Sequence, residues 1–282
     1  MIELTLVTIV FILSLAFFCE YVDSTLGMGY GTTMTPLLLI MGYEPLQIVP
    51  AVLVSELISG LFAGVLHHRE GNVDFKPKII HIPAIAEELK AILYLKAINN
   101  SIPRHLKVAL VLAVCSIIGT VTAVFFAVNI PKIFVKYYIG ILVLSMGVVI
   151  LICFNRRFDF SWKKIIGLGL LASFNKGLSG GGYGPVVTSG QVLSGVEGKS
   201  AVGITSLAEG LTCAVGIVAY LLMSGGDVSL RLAPFVTAGA VLSVPFSVKS
   251  VKKITEKRLK LAIALMTIAL GALTLCKIIM GR

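Results

Sequence analysis

The stretch Gly27-Met28-Gly29-Tyr30-Gly31 decides how this chain folds, because it recurs as Gly180-Gly181-Gly182-Tyr183-Gly184. Glycine costs about 1 kcal/mol in a helix interior, so three or more glycines within five residues break a helix. Each cluster is followed by a short apolar run, at Thr32–Met41 and at Pro185–Leu193. A helical crossing of a bilayer needs about 20 residues, so neither run can cross unaided. We therefore predict a short, broken helical segment after each cluster.

The two clusters belong to a longer internal repeat. The offset between them is 153 residues, and the register continues without a gap through polar positions. Further along, the offset falls to 124, which places about 29 extra residues in the first half. We predict a first repeat at 1–155, with a cytoplasmic insertion at about 75–104, and a second repeat at 156–282. Within the insertion, Pro83–Asn100 is predicted to form a helix. The identical polar pairs in this register include Thr35 with Thr188, Glu44 with Glu197, Glu56 with Glu209 and Asp74 with Asp227.

Composition identifies the class of protein. Hydrophobic residues make up 57% of the 282 residues and charged residues only 13%, whereas soluble domains carry roughly 25% charged residues. Eight further apolar runs are long enough to cross a membrane or nearly so. The net charge of +10 comes from basic residues between these runs, which is typical of a membrane protein and not of a nucleic-acid partner. We predict an all-α integral membrane protein that contacts lipid and binds no nucleic acid.

The distribution of Lys and Arg indicates the topology. If each short segment crosses the membrane, the two halves have five crossings each and are inverted; if each dips in and returns, they have four and are parallel. The five-plus-five arrangement places the basic clusters around Arg156 and at Lys249–Lys260 on the cytoplasmic side together. We therefore prefer two inverted repeats of about five segments, in the multi-pass topology of a cell membrane protein, with both termini outside.

The two glycine clusters are the predicted substrate site. Opened backbone at membrane depth is tolerated only where it is buried in protein or lines a cavity. Broken helices also offer free N–H groups and the positive end of the helix dipole, which suit an anion. The alternative is that the glycines only permit close helix packing. The predicted substrate-binding residues are Gly29, Tyr30, Gly31, Thr32, Thr33, Lys176, Ser179, Gly181, Gly182, Tyr183 and Gly184.

Charged residues inside the apolar segments form a second group. Asp23 and Lys176 are equivalent in the repeat, and so are Glu56 and Glu209. Such residues are costly within a membrane and usually functional. We predict proton-coupling or gating roles for Asp23, Glu56 and Glu209. Two structural alternatives stay open: Asp23 could pair with Lys176, and the glutamates could hydrogen-bond the neighbouring broken helices.

Catalytic and metal motifs are not found in the sequence. It has no GxSxG, HExxH or P-loop motif, and its five cysteines have no metal-ligand spacing. We expect no catalytic residue, no metal and no cofactor. A homo-oligomer is compatible with the sequence.

The sequence resembles a known transporter family. A Gly-rich break followed by Thr-Pro-Leu-Leu-Leu at Thr35–Leu39, and then His-His-Arg-Glu-Gly-Asn-Val-Asp at His67–Asp74, is similar to the TauE/SafE sulfite exporter family, also described as 4-toluene sulfonate uptake permeases. The resemblance covers nearly the whole chain outside the insertion and is clearest in the first half. In the second half, Pro185–Thr188 replaces the Thr-Pro-Leu motif.

This resemblance implies a substrate among small sulfur-containing anions, such as sulfite, thiosulfate or an organosulfonate like sulfoacetate. We expect a secondary transporter that exports such an anion, with proton coupling. An importer or an anion channel with the same site is the alternative within transport. An alternative from another class is a membrane-embedded enzyme or assembly factor that docks partners on its basic loops.

Overall fold

The computed structural model describes residues 5–76, 101–152, 154, 161–193, 196–224, 229–251 and 255–280. Within these ranges the chain forms ten α-helices and no strand, which confirms the all-α class. The helix predicted at Pro83–Asn100 lies outside the described residues. The helices are α1 Leu6–Leu26, α2 Tyr30–Ile40, α3 Pro45–Arg69, α4 Arg104–Asn129, α5 Lys132–Ile152, α6 Trp162–Ser179, α7 Tyr183–Leu193, α8 Gly198–Met223, α9 Ala233–Ser250 and α10 Glu256–Ile279.

The two short helices are present where the glycine clusters predict them. Helices α2 and α7 have 11 residues each, so each spans about 17 Å of a hydrocarbon core about 30 Å thick. The helices before them, α1 and α6, are capped at their C-terminal ends by Gly27 and Gly180, with φ of 69° and 72°. This left-handed conformation at a helix end favours glycine. Both clusters therefore end one helix and release the chain to start a short one.

The long helices have the properties of membrane spans. Helices α1, α3, α4 and α8 have mean hydropathies of 2.0, 2.0, 2.5 and 1.7 in their most apolar windows. Their outer surfaces expose large apolar side chains, including Ile118 at 69% and Leu222 at 79%. An apolar surface of this extent is stable in lipid and not in water. The chain is a multi-pass membrane protein.

The two halves of the chain interleave. Helix α1 packs against α9, and α4 packs against α6; α3 packs against α8, and α5 packs against α10. Exchanging the halves converts the α1–α9 and α4–α6 pairs into each other and leaves the α3–α8 and α5–α10 pairs as they are. The inverted orientation of the halves, and the repeat boundaries at 155 and 156, stay predictions.

Glycines permit the closest of these helix contacts. A Cβ placed on Gly239 of α9 would overlap the carbonyl oxygen of Leu13 in α1. A Cβ on Gly60 of α3 would lie 2.9 Å from the carbonyl oxygen of Ser206 in α8. Small residues at such crossings let two backbones approach, which is how membrane helices gain packing energy without a hydrophobic driving force between them.

Replacement of Gly239 by Ala should therefore destabilise the fold. The added methyl group overpacks the α1–α9 contact, and overpacking costs about 1–3 kcal/mol. Thermal unfolding in detergent, followed by circular dichroism, measures the loss. The matched control is Gly167→Ala in α6, where a Cβ meets no atom within 4 Å. Equal unfolding temperatures for the two variants would contradict the close α1–α9 crossing.

Candidate functional site

The two helix breaks lie against each other in the protein interior. Gly31, in the first turn of α2, packs on Gly180, and a Cβ there would overlap the Gly180 carbonyl oxygen. Gly184, in the first turn of α7, packs in the same way on Gly27 and Met28 of the other break. Neither position accommodates a larger side chain without backbone movement. The close-packing role considered from the sequence thus holds at Gly31 and Gly184, and the breaks of the two halves form one region.

Hydrogen bonds link the breaks as well. The N–H of Gly182 donates to Thr32 Oγ1 at 3.1 Å, across the boundary between the halves. The Thr188 hydroxyl of α7 donates to the Gly27 carbonyl of the first break at 2.5 Å, again from the second half to the first. Within the second break, the N–H of Gly181 donates to Ser179 Oγ at 3.1 Å. Predicted binding residues of both halves therefore converge, and part of their polar capacity is already used in holding the breaks together.

Other buried polar atoms in this region lack partners. Thr33 Oγ1, Thr35 Oγ1, Asn175 Nδ2 and Glu56 Oε1 make no hydrogen bond within the part of the chain that the structure describes. Thr35 lies beside Gly180, and Asn175 lies beside Gly182. Because buried polar groups in proteins are nearly always hydrogen-bonded, these atoms are available as hydrogen-bond partners for water or a polar ligand.

Two of these residues, Thr35 and Asn175, were not predicted as site residues. Thr35 carried a signal, because it is identical to Thr188 in the repeat register. Asn175 carried none beyond its place next to Lys176. The Tyr138 hydroxyl donates to Asn175 Oδ1 at 2.6 Å and so fixes the orientation of the amide. This contact depends on how the helices pack and cannot be read from the sequence.

An ion cluster lies one helical turn before the second break. Lys176 of α6 is fully buried, and its ammonium forms salt bridges to Glu56 of α3 and, at 2.7 Å, to Glu209 of α8. The predicted cationic site residue and two predicted proton-coupling residues thus form one cluster, which we call the Lys176 cluster. It joins three helices from both halves.

Asp23 has different partners from those of its repeat equivalent, Lys176. Among the described residues Lys176 pairs with the two glutamates, whereas the Asp23 carboxylate accepts the N–H of Tyr30 at 3.2 Å. The direct pair of Asp23 with Lys176, considered from the sequence, is not formed. Asp23 still lies close enough to Lys176 and Glu209 to interact with their charges.

The predicted tyrosines are both fully buried in this region. The Tyr30 hydroxyl hydrogen-bonds to Ser55 Oγ at 2.7 Å and lies 3.3 Å from the Val236 carbonyl, so it ties α2 to α3 and α9. Tyr183 begins α7 as Tyr30 begins α2. The two tyrosines therefore hold equivalent positions in the two halves.

A separate cavity of about 220 Å³ opens beside the far end of α2. Two basic residues line it. Lys136 pairs with Glu44 at 3.0 Å, and Lys277 donates to the carbonyl of Ile40, which ends α2. The cavity lies about one short-helix length from the breaks, because α2 has 11 residues.

Comparison with known families agrees with this architecture. The family model described as Sulfite exporter TauE/SafE matches residues 12–86 and 89–274 of the chain. The chain belongs to the TauE/SafE family. A TauE/SafE relative in Bacillus subtilis (strain 168), named "Probable membrane transporter protein YtnM", is 28% identical over 269 residues, which cover 91% of this chain and 79% of that protein. No solved structure matches the chain. As a TauE/SafE member with the fold above, the chain is a membrane transporter.

The Lys176 cluster predicts a specific stability pattern in this TauE/SafE protein. Lys176→Met leaves two buried carboxylates without a cation, and breaking a buried ion pair costs about 3–5 kcal/mol. The triple variant Lys176→Met/Glu56→Gln/Glu209→Gln carries no charge there and should recover most of that loss. Thermal unfolding in detergent at neutral pH measures both.

The pH dependence has a definite sign. Protons neutralise the two carboxylates as the pH falls, so the deficit of Lys176→Met should shrink at low pH and be largest at high pH. If the Lys176→Met protein were as stable as the wild type at both low and high pH, the ammonium would not compensate the negative charge of the glutamates.

Proposed function

We propose that the chain is a secondary transporter that exports a small sulfur-containing anion, such as sulfite, thiosulfate or sulfoacetate, across the cell membrane. The observation that carries the proposal is the meeting of two helix breaks in the protein interior, with unpartnered polar atoms and a lysine beside them. The family description supplies the substrate class. In this proposal the two halves are inverted repeats and both termini are outside.

The substrate site in this proposal lies between the breaks. Oxyanions are strongly hydrated, so their removal from water must be compensated by several donors and by positive charge. The unpartnered hydroxyls of Thr33 and Thr35 and the amide of Asn175 are donors of the required kind. Because Gly31 and Gly184 press the breaks together, anion binding needs the breaks to move apart. Such movement fits a site that binds a substrate transiently.

The charges of the Lys176 cluster support proton coupling in this proposal. Two carboxylates face one ammonium, so the fully ionised cluster has a net charge of −1. An anion that approaches Lys176 must compete with Glu56 and Glu209, and it adds a further negative charge. A proton on one glutamate neutralises the cluster and releases the ammonium for the anion. We therefore propose that an anion and a proton bind together.

Import is the second candidate function, and the same charge count favours it. If the anion and the proton move together, an inward proton gradient drives uptake, whereas export requires a steep outward gradient of the anion. Expression in cells discriminates the two: export lowers the cellular content of the labelled anion, and import raises it. The Lys136–Lys277 cavity is a candidate entrance for an anion in either direction.

Transport in liposomes tests the function and its coupling. Purified protein reconstituted into liposomes should move sulfur-35-labelled sulfite, sulfate, thiosulfate or sulfoacetate, and the rate should depend on pH. Glu56→Gln and Glu209→Gln should each flatten that dependence, because each removes a proton-binding group. Glu197→Gln, an exposed carboxyl group at the start of α8, is the matched control and should keep the wild-type profile.

The outcomes distinguish a failure of the proposed transport function from a failure of the proposed proton coupling. No transport of any of the four anions above the level of empty liposomes would overturn the proposed function. Wild-type pH profiles in both glutamate variants, with transport retained, would remove Glu56 and Glu209 from proton coupling while the transport function stands.

Cysteine labelling tests the inverted topology. In a cysteine-free background, Lys163→Cys and Lys249→Cys should react with a membrane-impermeant maleimide from one side, and Ser229→Cys from the other. Helix α9, with 18 residues, separates position 229 from position 249. Permeabilised membranes, in which all three positions react, provide the control. Reaction of Ser229→Cys and Lys249→Cys from the same side would mean that α9 does not cross.

A further inference from the structure

A second buried carboxyl group lies apart from the Lys176 cluster. Glu20 is about two-thirds of the way along α1 and is buried. Its Oε1 accepts a hydrogen bond from the Ser24 hydroxyl at 2.6 Å, and its Oε2 accepts one from the Ser59 hydroxyl of α3 at 3.0 Å. Within the described part of the chain, no ammonium or guanidinium group lies at salt-bridge distance from it.

The partners of Glu20 suit both protonation states. A serine hydroxyl donates one hydrogen bond and also accepts. When Glu20 is ionised, both serines donate to it; when it is protonated, its own O–H donates to one of them. The carboxyl group therefore keeps two hydrogen bonds whether or not it holds a proton. A side chain whose only role was to hold α1 against α3 would need hydrogen-bond partners for just one protonation state.

The surrounding charges oppose a permanent anion at this position. Across α1, α3 and α8 the interior holds four carboxyl groups, Glu20, Asp23, Glu56 and Glu209, and among the described residues Lys176 supplies the one buried ammonium. With Lys176 engaged by two of them, Glu20 and Asp23 add negative charge that no cation within the described residues pairs. A charged side chain is costly within a membrane, so we expect bound protons to neutralise these carboxyl groups.

The titratable groups around Glu20 come from α1 itself and from three of the helices packed on it, α2, α3 and α8. Those on α1 itself are Cys19 and Asp23; α2 contributes Tyr30, α3 contributes Glu56 and His67, and α8 contributes Glu209. His67 connects to the same region, because its Nε2 donates to the Ser24 carbonyl at 3.0 Å. The charged residues of the remaining two helices stand at the helix ends: Lys249 on α9, and Glu256, Lys257, Arg258, Lys260 and Lys277 on α10.

We propose that Glu20 is a proton-binding residue of the transport cycle, in addition to the residues of the Lys176 cluster. Its carboxylate takes a proton from water on one side of the membrane and returns it to water on the other. Protonation reverses the hydrogen bond that joins Glu20 to Ser59, so that Glu20 becomes the donor, and this alters the contact of α1 with α3. The part of the proposal that concerns transport rests on the proposed function; the proton binding does not.

Infrared spectroscopy tests the proton binding without any substrate. During a pH titration of the purified protein, a protonated carboxyl group contributes a C=O stretching band that a carboxylate lacks. Glu20→Gln should remove one component of this band, whereas Glu197→Gln should leave the band of buried acids unchanged. Ser59→Ala keeps the carboxyl group but loses one partner, so it should shift that component. Loss of no component in Glu20→Gln at any pH would overturn the proposal.

Two modes of transport test the role in the cycle. Exchange of labelled for unlabelled anion requires no net proton movement, whereas accumulation driven by a pH gradient does. Gln imitates a permanently protonated carboxyl group, so Glu20→Gln should retain exchange and lose gradient-driven accumulation. Gradient-driven accumulation at the wild-type level in Glu20→Gln would overturn the role of Glu20 while leaving the transporter itself intact. Loss of both modes together, with the infrared component unchanged, would show a structural residue instead.

Discussion

The backbone contact between the two glycine breaks sets the geometry of the whole interior. Gly31 on Gly180 and Gly184 on Gly27 bring the first turns of α2 and α7 together, with no side chain between them. The helices of the Lys176 cluster, α3, α6 and α8, then lie near enough for Lys176 to reach both glutamates. A larger residue at either glycine would separate the halves and with them the partners of the buried charges.

The buried charges in turn constrain how the protein can move. In low dielectric, an ammonium without a partner and a carboxylate without one are both expensive. Any motion that opens the breaks must therefore keep Lys176 paired, exchange its partner for a ligand, or change the protonation of a glutamate. The unpartnered Oε1 of Glu56 and amide of Asn175 indicate where such an exchange has polar groups available.

Much of this arrangement could be predicted from the sequence, because helix breaking and apolar length are local properties. The short segments were expected at Thr32 and Pro185, and the helices begin only two residues earlier, at Tyr30 and Tyr183. The repeat register found Glu56 and Glu209 as an equivalent pair. It also suggested that Asp23 meets Lys176, since the two are equivalent, but equivalence across a repeat does not imply contact. The partners of Lys176, the orientation of Asn175 and the serines around Glu20 depend on helix packing, which periodicity does not encode.

The exchange of Asp23 for Lys176 at one repeat position has a consequence for how such a chain could arise. Counted over the described residues, a protein assembled from two copies of the first half would bury six carboxyl groups, from Glu20, Asp23 and Glu56, with no lysine or arginine among its buried residues. Two copies of the second half would enclose two lysines and two glutamates and be neutral. A fusion of two first halves would therefore need bound protons to balance its buried charges, whereas a fusion of two second halves would be balanced without them.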